Sequence, residues 1–142
     1  MKRLILIIML SFLLIGCQSK EQLFTKTCII KVNSKDLKDT IKEEITYNNM
    51  DELKQIKRTR KYESKNIDII KYIKNSTKDY NNNLLENKNI KIKIIRDEKN
   101  KYSLKYFYDI DKMKKIDLDN LNINKNSIKY LKRLKKEGFK CQ

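Results

Sequence analysis

Proline, tryptophan and histidine are absent from the 142 residues, and glycine occurs only twice, at Gly16 and Gly138. Without histidine there is no imidazole to act as a base near neutral pH, no Ser-His or Cys-His pair, and none of the commonest zinc ligand sets. With so little glycine the chain holds no G-x-S-x-G elbow, no Walker loop and no G-x-G-x-x-G turn. No glycine- or proline-rich linker divides it, and its length suits one small domain.

What is present is lysine, isoleucine and asparagine, a bias that fits AT-rich coding in a low-GC Gram-positive bacterium. Lys and Arg number 34 against 18 Asp and Glu, a formal net charge of +16. Charged residues make up 37%, yet 39% are hydrophobic and eight are Tyr, enough apolar surface for a core rather than a disordered chain.

The N-terminus reads as an address. Lys2 and Arg3 precede an uncharged apolar run, Leu4 to Ile15, and Leu14-Ile15-Gly16-Cys17 closes it. The run is shorter than the roughly 20 residues that span a bilayer as a helix, so positions 1–16 are expected to be an export signal. The closing four residues resemble the lipobox of bacterial lipoproteins. That resemblance implies a diacylglyceryl group on Cys17, cleavage just before it, and a mature chain of residues 17–142. The acyl chains would anchor by about 0.8 kcal/mol per buried methylene, two chains holding where one does not. Positions 17–22 form the lipidated cysteine and a short tether. Its five residues from Gln18 to Gln22 reach at most roughly 17 Å, which keeps the domain at 23–142 close to the outer face of the membrane. Cleavage removes Lys2 and Arg3 and leaves +14 of the +16.

Two cysteines remain, Cys28 and Cys141, 113 positions apart. Export places them where disulfides persist, and an even remainder favours a Cys28–Cys141 bond over the alternative of two free thiols. In the chain-entropy account a loop of that length is worth about 4–5 kcal/mol. Neither is expected to be a nucleophile, since no imidazole exists to activate a thiolate.

Phe24, Cys28, Ile30 and Val32 share one face at period two, with Lys26 the exception, which predicts a strand over 23–32. Ile41, Ile45 and Tyr47 predict a second over 40–47, and a more polar third is expected over 53–62. Ile67, Ile70, Ile73, Thr77, Tyr80 and Leu84 recur every three or four residues, the mark of an amphipathic helix. Ile90, Ile92 and Ile94, then Tyr102, Leu104, Tyr106, Tyr108 and Ile110, alternate with polar residues on either side of a turn and form the clearest hairpin. A last helix starts at Ser127 as N-cap, carries Ile128, Leu131 and Leu134 as its apolar stripe, and ends at Gly138, with Phe139 folding back. Lys132, Arg133, Lys135 and Lys136 complement the negative end of its dipole. The expected fold is α+β in the order βββαββα, an antiparallel sheet of about five strands with two helices on one face and a lysine-rich, solvated opposite face.

At this point the chain resembles the YehR-like family of small bacterial lipoproteins. The resemblance lies in the LIGC lipobox, the early strand FTKTCII, and the closing pattern of Ser127, Leu131, Leu134, Gly138, Phe139, Lys140 and Cys141. It spans nearly the whole chain and implies a sheet with packed helices and surface anchoring. It implies no activity. The chain departs from the family in having no glycine in the turn before the third strand.

Asp109-Ile110-Asp111 and Asp117-Leu118-Asp119 space carboxylates as calcium loops do, but the required turn glycine and bidentate glutamate are missing, so no metal site is expected. Tyr102, Tyr106, Phe107 and Tyr108 among Lys101 and Lys105 resemble a single-strand nucleic-acid platform. Alternation instead places the tyrosines in the core and the lysines in water, so no nucleic acid is expected as a partner. The expected role is a non-enzymatic binding module at the cell envelope, without cofactor. Its partners would be membrane lipid through Cys17, anionic lipid or wall polymer, and an unidentified protein. The alternatives are an accessory or inhibitory partner of a membrane protein, or an enzyme acting on envelope polymers through Asp/Glu pairs.

Overall fold

The computed structural model describes positions 21–142. The expected signal at 1–16, the lipobox Leu14–Cys17 and the tether as far as position 20 lie outside the described residues. Strands β1 (Leu23–Asn33), β2 (Lys38–Asn48) and β3 (Leu53–Glu63) form a meander. Helix α1 (Ile67–Leu85) then leads to the hairpin of β4 (Ile90–Asp97) and β5 (Lys101–Asp109). A 3-10 turn (Ile110–Lys112), a short helix α2 (Lys115–Asn120), helix α3 (Ser127–Lys136) and a two-residue strand β6 (Lys140–Cys141) complete the chain. The sheet order is β4-β5-β3-β2-β1-β6, with every neighbour antiparallel, so β5 sits between β3 and the strand that α1 delivers.

The α+β class and the antiparallel sheet agree with the sequence reading, while the counts differ: six strands and three helices rather than about five and two. Strand β6 is too short to show a period. Helix α2 buries only Leu118, so it presents no apolar stripe.

Register sorts the side chains. Ile45, Ile56, Tyr108 and Ile90 form one row across β2, β3, β5 and β4, all buried against the helices. Tyr102, Leu104, Tyr106, Tyr108 and Ile110 are all buried, as the alternation predicts. The β1 face is covered only at its centre. Cys28 is fully buried, whereas Phe24 and Val32 are 38% and 55% exposed, because β6 pairs with β1 only around Cys28 and Ile29.

The β2–β3 turn does without glycine. Asp51 adopts φ 60, a conformation aspartate tolerates better than most residues. The buried Asn48 side chain accepts from the N–H groups of Met50 and Glu52 at 3.0 and 2.9 Å. That turn is stitched to the approach to α3, since Leu53 N donates to Lys125 O and Ser127 N to Asp51 O, each at 2.7 Å. Helix α3 is capped by Asn126, whose side chain accepts from Lys129 N, rather than by Ser127, which is buried and donates to Asp51. The cap sits one residue earlier than expected; Ser127, Tyr130 and Leu134 are the buried residues of the helix, Leu131 is partly buried against the core, and Ile128 is 58% exposed. In α1, Ile70, Ile73 and Leu84 are buried, while Ile67 and Tyr80 are each 51% exposed.

At the end of α3, Phe139 N donates to Leu134 O and Gly138 N to Lys135 O, the paired bonds of a Schellman motif. Gly138 has φ +94, and a Cβ there would meet Ile30 Cδ1 at an ordinary 3.4 Å. The cost of a side chain is therefore backbone strain. Gly138→Ala is expected to lower stability by about 1–2 kcal/mol, read as a reduced urea midpoint with unchanged slope.

Candidate functional site

Alternation along β2 carries Ile41 and Ile45 inward, and Glu43 between them must follow. Its side chain is 1% exposed. An ionised carboxylate in such a place costs several kcal/mol unless it is paired and hydrogen-bonded. Arg58 lies directly opposite on β3; its Nε donates to Glu43 Oε1 at 2.7 Å, and its Nη2 makes an ion-pair contact with the same oxygen at 2.7 Å. The other oxygen, Oε2, accepts from the Tyr130 hydroxyl on α3 at 2.8 Å. Burial disfavours the charge on Arg58, but the Glu43 carboxylate together with Tyr108 and Tyr130 outweighs it and holds the guanidinium above its ordinary range. Burial, and then the same carboxylate, push the Tyr130 hydroxyl up.

Three rings frame the pair. Arg58 lies 5.7 Å from the Tyr108 ring centroid, and Arg133 on α3 lies 4.9 Å from that of Tyr130. Tyr106, next in the row, donates to the buried side chain of Asn81 on α1 at 3.1 Å. Both long helices thus bond polar groups on the same face of the sheet. Further along β2 and β3, Arg60 grips Asp39 through Nη2 at 2.6 Å and Nε at 3.1 Å.

Beside Arg58 this face opens into a cleft of about 450 Å³. Arg58, Ile90 and Tyr108 from three strands line it together with Tyr80, Asn83 and Leu84 on α1. Asp117 and Asn120 on α2 and the segment Leu121–Ile123 complete it, with Asn122 held at φ 54. Arg58 presents to Glu43 the side of its fork made by Nε and Nη2, so Nη1 makes no hydrogen bond among the described residues. Asp117 is fixed by accepting from Lys114 N at 3.3 Å.

Of the residues singled out from sequence, Tyr108 and Asp117 line this cleft, and the cysteines lie apart from it. Cys28 and Cys141 are joined with S–S 2.01 Å, flanked by a reciprocal pair of backbone bonds between Thr27 and Gln142. The spaced aspartates serve separate local roles: Asp109 bonds Lys112 at 2.7 Å, Asp111 pairs with Lys54 at 3.3 Å, and Asp117 caps α2. Among the described residues no three of Cys, Asp or Glu gather as a metal ligand set. Sequence reasoning passed over Glu43, Arg58 and the asparagines of the cleft. The available signal was a charge at an inward position in each of two adjacent strands.

No family model and no curated protein matches the chain. A solved structure described as the NMR structure of the protein from Streptococcus pneumoniae TIGR4 is similar in fold, with a TM-score of 0.53 and 14% identity over 89% of each chain. At that identity the likeness extends to the fold alone.

Removing one partner of the buried pair strands the other. Glu43→Gln is expected to cost about 3–5 kcal/mol by urea denaturation, and the double variant Glu43→Leu/Arg58→Met to recover most of it. Burial likewise raises the hydroxyls of Tyr62, Tyr102, Tyr106, Tyr108 and Tyr130. The unfolded chain releases these protons near pH 10 while the folded one retains them, so stability is full below about pH 10 and falls as pH rises beyond it. Absorbance titration of tyrosinate should show these five ionising late, together with alkaline unfolding.

Proposed function

We propose that the protein is an exported lipoprotein, held by acyl chains on Cys17 at the outer face of the cell membrane, and that it works as a binding module rather than an enzyme. The lipobox-like Leu14–Cys17 and the resemblance to YehR-like lipoproteins support the anchor. No helix among the described residues is long and apolar enough to cross a membrane.

The observation that carries the reading is the face of the sheet opposite the helices. There Lys42, Thr59, Lys105 and Lys93 stand in one row across β2, β3, β5 and β4, and Glu44, Lys57, Phe107 and Lys91 in the next. Lys42 donates to Glu44 at 2.6 Å, and with Lys105 and Lys57 nearby it draws that carboxyl below its usual range. Such a lysine ladder suits an anionic surface of lipid headgroups or wall polymer, at about 1 kcal/mol per Lys close to it. Catalysis by paired acids finds little support, because the buried carboxylate, Glu43, has both oxygens occupied by Arg58 and Tyr130.

Two measurements test this. The mass of protein extracted from host membranes should equal residues 17–142 plus a diacylglyceryl group, and Cys17→Ser should leave the chain uncleaved; an unmodified Cys17 would remove the anchor. The protein should sediment with phosphatidylglycerol vesicles or a polyanionic wall polymer, release with salt, and weaken on replacing Lys42, Lys93 and Lys105 by Glu. Equal binding to neutral phosphatidylcholine would reject the basic face.

A further inference from the structure

The cleft on the helical face has a different character from the lysine ladder behind it. The cation in its lining, Arg58, is already neutralised by Glu43, and Asp117 adds a negative charge at the opposite wall. A phosphate or carboxylate would therefore find no unpaired cation in the lining. The lining is instead rich in uncharged hydrogen-bonding groups: the side-chain amides of Asn83, Asn87, Asn120 and Asn122, and the Tyr80 hydroxyl. Each amide offers two donors, and those of Asn83, Asn120 and Asn122 an acceptor as well, whereas the Asn87 oxygen already accepts from Asn89 N; Arg58 Nη1 offers donors, and the Asp117 carboxylate accepts only. Leu84, Ile90 and Tyr108 supply an apolar floor.

Closely spaced donors and acceptors around an apolar floor suit a ligand that carries hydroxyls on a ring with apolar C–H faces. The cleft's size, about 450 Å³, falls within the roughly 300–1,000 Å³ of small-molecule sites. We propose that this cleft is a binding site for a neutral sugar unit of a glycan. Asparagine amides and Asp117 would take its hydroxyls, Arg58 Nη1 would donate to a ring or acetamido oxygen, and the half-exposed Tyr80 ring would cover one face of the sugar. Glu43 is then a positioning residue. By accepting from Nε and pairing with Nη2 it fixes the guanidinium and cancels the charge that would otherwise select anions. The proposal rests on the cleft alone and is independent of lipidation at Cys17.

The test is saturation-transfer NMR and calorimetry on the full chain in detergent, with maltotriose, triacetylchitotriose and a glucuronate-containing trisaccharide as probes. At least one neutral probe is expected to bind, and both Tyr80→Ala and Asn120→Ala should weaken it by about tenfold or more. Tyr80 is half exposed, so its variant should keep the parent's thermal midpoint. Three outcomes would overturn the proposal: no binding of either neutral sugar, tighter binding of the glucuronate probe, or binding that both variants leave intact.

Discussion

A carboxylate with almost no access to water governs how the two layers meet. Glu43 takes one oxygen's partners from Arg58 on the neighbouring strand and the other's from Tyr130 on α3. Apolar contacts alone would let a helix slide on a sheet. A buried charge that needs particular donors does not, because each displacement leaves it unsatisfied at a cost of several kcal/mol. The row through Glu43 crosses the whole sheet: Cys141 and Cys28 on one side, Arg58, Tyr106 and Ile92 on the other. The covalent staple and the ion pair lie side by side in that row.

The two faces of the sheet divide the chain's chemistry. On the open face lysines stand over water with threonines between them. On the covered face the charges come in closed pairs, Glu43 with Arg58 and Asp39 with Arg60. A net charge of +16 is thus compatible with a cleft whose lining arginine is paired. Composition gives the sum of the charges, and only the pleat assigns each one to a side.

Much of this fold is legible in the sequence, and the reasons are specific. The strand from Tyr102 to Tyr108 alternates Tyr and Leu with Ser103, Lys105 and Phe107, and period two sets its orientation. The end of α3 is equally plain, because Gly138 followed by Phe139 is a sequence-local device. What could not be read depends on distant partners. Asn126 and Ser127 are both good caps, and the choice between them is made by the β2–β3 turn, which takes Ser127 N onto Asp51 O. Helix α2 has too little apolar surface to announce itself. The cleft needs α1, three strands and the segment after α2 at once, and its asparagines are indistinguishable in the sequence from those that make turns.

The bond between Cys28 and Cys141 encloses nearly every loop of the domain within one covalent ring. Exposed loops are the preferred targets of proteases. A single cut anywhere between the two cysteines yields fragments that remain one molecule. Their rejoining is unimolecular, at an effective concentration set by the tether rather than by dilution. Strands on either side of a nick can pair again where unlinked pieces would diffuse away, so the staple confers tolerance of damage as well as stability.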